Sequence, residues 1–219
     1  MSAIAIVGAG KGLGAAVARK FGAHGFDVAL ISRTQGNVDA LAADLQKAGI
    51  NARGYTASVR DADALTAALA HATSELGPIE VLEYSPIPQR EFLRPVLETT
   101  RADLTAAIEF SVLGPVTAVG HVLPSMRERG RGTVLFVNGA SAARPNPNVA
   151  GTSIAFAGES AYAQMLHTDL ADTGVHVAQL IIPGAITPGH PTHDPDVLAD
   201  KLWTMHTARG SFREVVDAA

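Results

Sequence analysis

The feature that most limits what this chain can fold into is a glycine cluster set between two different patterns. Ala3–Val7 is an unbroken apolar run, and Gly8-Ala9-Gly10-Lys11-Gly12-Leu13-Gly14 follows it at once. Leu13–Ala23 then takes up helical spacing. Glycines between a strand and a helix permit a tight turn, let backbone approach a diphosphate, and let helix and strand pack closely. The helix start beyond them offers unpaired N–H groups and a partial positive charge to an anion. Gly8, Lys11, Gly12, Leu13 and Gly14 are therefore the expected cradle for the diphosphate of a dinucleotide.

The rest of the chain repeats this alternation. Strands are expected at Ala3–Val7, Asp27–Ser32, Ala52–Ala57, Ile79–Tyr84, Thr133–Asn138 and Val175–Ile182, with a short last one near Phe212–Val216. Helices are expected at Leu13–Ala23, Val38–Ala48, Ala62–Leu76, Arg101–Arg129, Thr152–Ala171 and Asp196–Arg209. Continuous apolar runs such as Val28-Ala29-Leu30-Ile31 suit strands buried on both faces. The pattern predicts an α/β fold: a Rossmann-like doubly wound parallel sheet of about seven strands, helices on both faces, with residues 1–219 as one domain. Two irregular stretches, Arg144–Asn148 and Pro183–Pro195, follow the fifth and sixth strands. Both belong at the carboxyl edge of the sheet, where open α/β folds bind ligands.

The second strand ends in Ile31-Ser32-Arg33-Thr34, with no carboxylate to accept from a ribose 2′-hydroxyl. Arg33 can instead pair with a 2′-phosphate, and Lys11 faces the same region. A hydrogen bond to a charged group contributes about 1.5–3 kcal/mol, enough for tenfold discrimination or more. The expected cofactor is NADP(H) in preference to NAD(H), with Ser32 and Arg33 added to its contacts.

Bulk properties exclude several classes. The formal net charge is −4 with no basic block, so a phosphate-reading nucleic-acid face is not expected. Cysteine is absent, which removes disulfides, thiolate nucleophiles and Cys-based metal sites, and fits a reducing compartment. No apolar run looks long enough to span a bilayer, and the first residues read as a strand rather than a signal peptide. The expected setting is cytoplasmic, with a small-molecule substrate and neither nucleic-acid nor membrane partners. No metal is expected.

The residues quoted so far resemble the short-chain dehydrogenase/reductase family. Gly8-x-x-x-Gly12-x-Gly14 is similar to its phosphate turn. Ile79–Leu82 resembles its adenine-side strand, and Gly132–Val137 the strand that carries its serine. Gly174–Val177 followed by Pro183-Gly184-Ala185-Ile186-Thr187 resembles its sixth strand and nicotinamide-contacting turn. The likeness runs nearly end to end. It implies a seven-stranded sheet, nicotinamide contacts from Pro183, Gly184 and Ile186, and a homodimer or homotetramer through the two long helices. It also implies reduction of carbonyls or oxidation of alcohols.

The family's proton-handling residues are not matched. Its members use a tyrosine followed four residues later by a lysine, with a serine and an asparagine nearby. Counting back from Gly174 places the tyrosine position at Thr152, the lysine at Phe156, the serine at Gly139 or one residue to either side, and the asparagine at Ser111. No lysine lies between Lys47 and Lys201, and the Asn-Ala-Gly stretch after the fourth strand is replaced by Tyr84-Ser85-Pro86. Substitute polar groups are Tyr84 at a strand end, Asn138 and Ser141 after the fifth strand, and His190 and His193 in the Pro/Gly-rich loop. Tyr162 lies ten residues beyond Thr152, roughly 15 Å along a helix and off its face.

Three functions follow: an NADP(H)-dependent carbonyl/alcohol oxidoreductase with a non-standard acid; a non-catalytic NADP-binding sensor or subunit; and a lyase or cyclase on the same fold.

Overall fold

A computed structural model describes residues 2–217. The strands are β1 (Ala3–Val7), β2 (Asp27–Ser32), β3 (Ala52–Thr56), β4 (Ile79–Tyr84), β5 (Gly132–Gly139), β6 (Val175–Ile182) and β7 (Arg213–Val215). All pair in parallel, in the order β3-β2-β1-β4-β5-β6-β7. The chain starts at the centre of this sheet, winds outward to β3, then crosses back to build the other half. The reversal between β1 and β4 opens a crevice at the carboxyl edge, above the glycine cluster.

Helices α1 (Leu13–Ala23), α2 (Gln35–Lys47) and α7 (Pro195–Ala208) cover one face. Helices α3 (Ala62–Leu76), α4 (Arg101–Ile108), α5 (Gly114–Glu128) and α6 (Ala150–Asp169) cover the other. Every residue of β1 and β6 is buried, which is why β1 reads as an unbroken apolar run and β6 as one interrupted only by His176 and Gln179. Local chemistry sets the helix starts. Asp61 accepts from the Ala64 amide at 3.0 Å at the head of α3. Thr100 and Asp103 form a reciprocal capping box on α4. Asp194 accepts from the Asp196 amide at 2.8 Å, with Pro195 opening α7.

The structure corrects the expected elements in three places. Helix α2 begins at Gln35, three residues before Val38, because its first turn is exposed and carries no apolar period. The long helix expected over Arg101–Arg129 is broken by a π-helical turn at Glu109–Leu113 between α4 and α5. The helical run Arg101–Glu128 is also long and apolar enough, by composition, to cross a membrane, contrary to the sequence reading. Half of its most apolar stretch is buried within the protein, with α5 packed on α3 and β4.

Candidate functional site

The crevice is bounded first by the glycine cluster. Gly8 has φ +101°, and a Cβ there would lie 2.5 Å from the Pro86 Cα. No side chain fits between β1 and the segment after β4, so only glycine can make this turn. At Gly14 a Cβ would sit 3.0 Å from the Ala9 Cα, so the start of α1 packs against the turn. Gly12, in contrast, faces open space. No side chain caps α1, and its first turn carries no acid. The open N-terminus beside an uncrowded glycine is an anion cradle of the kind a diphosphate requires.

Two connected hollows lie over it. The smaller, about 240 Å³, is walled by Ile31, Ser32, Arg33, Asn37 and Val59. With the Gln89 amide oriented by its neighbours, its oxygen accepts from Arg33 Nη1 at 2.7 Å and its nitrogen donates to Glu91 at 2.7 Å. Arg33 thus arches over the hollow towards the segment after β4. The larger, about 590 Å³, runs from the glycine cluster to the loop after β6. Lys11, Gly12, Leu13, Gly14, Gly184 and Ile186 border it, and Gly8 borders both. Pro183 borders neither: its carbonyl oxygen is taken by His193 Nε2 at 2.6 Å.

Three of the positions assigned by the family likeness come together in the larger hollow. Gly139, from the end of β5, and Thr152 and Phe156, one turn apart on α6, all wall it. Thr152 Oγ1 donates weakly to the Phe92 carbonyl at 3.4 Å. The Phe156 ring packs with Ala142 and Ile181. A Cβ on Gly139 would stand 3.9 Å from that ring, so the glycine leaves space unfilled rather than relieving a clash. Ser111 is buried in the π-helical turn and is not part of the wall. Ser141, on the short turn after β5, does border the hollow.

Two expected candidates are displaced. Tyr84 is buried, and its hydroxyl donates to the Phe110 carbonyl oxygen at 2.5 Å. Strand parity turns the ring into the core beside Leu82, and Gly114 at the head of α5 leaves room for the hydroxyl. It holds the π-helical turn and reaches neither hollow. His190 is also turned away: its Nδ1 accepts from the His193 amide at 3.1 Å and the Thr192 amide at 3.3 Å. The two histidines, ring centres 5.0 Å apart, tie the loop after β6 together. Tyr162 packs edge-on to Phe136, ring centres 6.5 Å apart.

The sequence reading missed a polar chain behind the crevice wall that runs inward from exposed Arg213 to buried Ser160, Gln179 and Asn138. Arg213 on β7 donates to Gln179 Oε1 at 2.9 Å and to Ser160 Oγ at 2.6 Å. Ser160 also donates to Gln179 Oε1 at 3.0 Å. A guanidinium can only donate, so the Gln179 oxygen must face it and the amide nitrogen must face away. That nitrogen donates to Asn138 Oδ1 at 2.8 Å, which leaves the Asn138 NH₂ group on the side of the Glu159 carboxyl without closing a hydrogen bond to it. Glu159 is buried, and desolvation raises its pKa well above the usual carboxylate range, with Asn138 opposing the rise. A second acid, Glu83 on β4, is fully buried between Ile6 and Leu135 with both oxygens unpartnered. Burial pushes its pKa up to about 8, with nearby Ser85 opposing the rise. Glu83 was visible as one of two acids, with Glu80, in the otherwise apolar run Ile79–Tyr84. The partners of Gln179, Glu159 and Arg213 lie too far away in sequence to be read there.

Comparison with known proteins follows this geometry. A family model described as short chain dehydrogenase matches residues 2–194. The short-chain reductase protein NovJ of Streptomyces niveus is 31% identical over 197 residues, covering 90% of this chain and 72% of that protein. Human dehydrogenase/reductase SDR family member 4 is 28% identical over 175 residues, covering 80% of this chain and only 62% of its own length. The crystal structure of a short-chain dehydrogenase from Rhodopseudomonas palustris superposes with a TM-score of 0.88 at 25% identity, over 100% of this chain and 99% of that one. A metagenomic short-chain oxidoreductase solved in complex with NADP has a TM-score of 0.86 at 22% identity, over 100% and 97%, a likeness of fold.

Proposed function

The chain belongs to the short-chain dehydrogenase/reductase family of nicotinamide-dependent oxidoreductases, and from that premise we propose that it is an NADP(H)-dependent carbonyl/alcohol oxidoreductase working without the family's tyrosine–lysine pair. The observation that carries this reading is the continuity of the crevice: one surface joins the glycine cradle, the Arg33 hollow and the wall containing Gly139, Thr152 and Phe156. NADP(H), when bound, supplies or accepts a hydride. The residues of this chain do the rest. Gly8, Gly12, Leu13 and Gly14 hold the diphosphate, Arg33 and Lys11 take the 2′-phosphate, with Ser32 beside them, and Gly184 and Ile186 shape the far end. Pro183 acts only by setting that turn. Ser141 offers a hydroxyl to a carbonyl oxygen. With Phe156 in the lysine's place, no cation depresses an acid there, and water is the proton source. The test is NADPH consumption with a panel of carbonyls; consumption at the buffer rate with every substrate would refute catalysis.

Cofactor choice has its own test. Arg33→Asp is expected to weaken NADPH binding at least tenfold and to leave NADH binding equal or tighter, read by nucleotide fluorescence titration. Equal loss for both nucleotides would show that Arg33 does not read the 2′-phosphate.

A second reading, a non-catalytic NADP-binding sensor or subunit, is favoured by the replacement of the tyrosine and lysine by Thr152 and Phe156. Tight NADPH binding without turnover of any carbonyl would select it. Assembly belongs to the same proposal. Leu113 and Val116 at the head of α5, and Ile154 and Met165 on α6, are exposed apolar side chains on the two long helices. A homodimer or homotetramer through them is expected, and a Val116→Glu/Met165→Glu variant should run as monomer in light scattering. A cytoplasmic setting, with no nucleic-acid or membrane partner, is part of this reading: the net charge of −4 without a basic block supports the absence of a nucleic-acid face, and the cysteine-free chain fits a reducing compartment.

A further inference from the structure

The larger hollow divides chemically along its length. Its charged side chain, Lys11, sits at the glycine end with the open start of α1. With that end and the turn at Gly184 given to the cofactor, what is left is walled by Leu93, Val149, Thr152, Phe156, Ile186 and Pro188. None of these is charged. Thr152 turns its hydroxyl proton towards the Phe92 carbonyl at 3.4 Å, and Asn138 is buried with its oxygen held by Gln179. Ser85 also lines the hollow but lies against Gly8 at the cofactor end, so the Ser141 hydroxyl remains as the polar anchor at this part of the wall. The apolar wall also continues outward: Leu93 is 45% exposed and Ile186 37%, while Ile87, on the same hollow, is 82% exposed. Large side chains left open to water at a cleft mouth mark a surface that an apolar ligand covers.

We propose that the substrate is an uncharged molecule with one reacting carbonyl or alcohol on an apolar body, and that Leu93, Phe156 and Ile186 select it. The proposal rests on the reading of this crevice as a carbonyl site and adds the substrate class. One hydroxyl is enough to orient one carbonyl oxygen. A carboxylate would find no cation, and each further hydroxyl of a sugar would lose water without gaining a partner. An alkyl chain, in contrast, gains affinity with every methylene it buries.

The experiment is calorimetric titration of the full chain, saturated with NADP⁺ so that no reduction occurs, with a series of 2-alkanones from 2-butanone to 2-decanone. The dissociation constant is expected to fall about two- to fourfold per added methylene until the cleft is full. At matched length, 4-oxopentanoate and L-sorbose should bind at least tenfold more weakly than 2-pentanone and 2-hexanone. Leu93→Glu and Ile87→Glu, both at exposed positions that folding tolerates, should flatten the series. A flat series in the unmodified chain, a charged or polyhydroxylated compound binding as well as the ketone, or a slope unmoved by both variants would each overturn the proposal. The series is repeated without nucleotide. Loss of NADP⁺ binding alone would defeat the cofactor reading, while the methylene slope still decides this one.

Discussion

A Thr152→Tyr/Phe156→Lys variant is expected to reduce an aliphatic ketone with NADPH about 10²–10⁴ times faster than the unmodified chain. Both positions already face the crevice, one turn apart on α6, and both border the same hollow as the glycine cradle. The new tyrosine supplies a proton donor and the lysine lowers its pKa, which together restore about 3–5 kcal/mol of barrier lowering. Phe156 packs with Ala142 and Ile181, a small cluster apart from the two main cores, so its replacement leaves those cores intact. Gly139→Ser added to the pair should raise the rate further, because a Cβ there meets nothing nearer than 3.9 Å. The check is kcat by NADPH absorbance, with the melting temperature confirming the fold. A variant that binds NADPH and melts normally yet gains no rate would mean that the crevice does not present a carbonyl for reduction.

The second large effect concerns stability. Glu83→Gln is expected to stabilise the protein by on the order of 3 kcal/mol at pH 7 and by almost nothing near pH 4.5. Burial holds the folded-state pKa of Glu83 at about 8, against 4.5 in its ordinary setting. Below pH 4.5 the carboxyl is neutral in both states and costs nothing extra. As pH rises from 4.5 towards 8, the unfolded chain ionises while the folded one stays protonated, so stability drains away across that window. Gln has no proton to lose and removes Glu83's share of the slope; Glu159, also raised by burial, keeps the same share in both proteins. His176 works in the opposite sense: burial brings its pKa down to about 4, so it withdraws stability as pH falls below 6.5. Its contribution is the same in both proteins and cancels in their difference. Thermal melts of the two across pH 4.5 to 8 check this. A rise in melting temperature of roughly 5–10 °C is expected at pH 7. A pH-independent difference would show that Glu83 is not a buried neutral acid.

How far the sequence could be read depended on the range of the interactions. Ala3–Val7, Asp27–Ser32, Ile79–Tyr84, Val175–Ile182, Leu13–Ala23 and Ala62–Leu76 are bounded as expected. Each is marked by local chemistry: a burial period, a glycine turn or an acidic cap. The glycine cluster was legible because a turn at φ +101° against Pro86 admits no other residue. The π-helical turn was not, since it depends on Tyr84 donating across 26 positions to Phe110. For the same reason the chain from Arg213 through Gln179 to Asn138 was invisible: its first link spans 34 positions and its second 41. Tyr84 itself was placed near the ligand because strand ends usually face the crevice, whereas the parity of β4 turns it into the core. The distribution of polar groups in the crevice required side-chain placement, and the proposed apolar substrate class rests on that placement.

The most direct test of the whole account is calorimetric titration of cofactor-free protein with NADPH and with NADH. Saturable heat with NADPH, at a dissociation constant at least tenfold below that for NADH, is the predicted result. Absence of heat with both nucleotides would contradict it, because the cradle at Gly8–Gly14 and the arginine beyond β2 would then hold no dinucleotide at all.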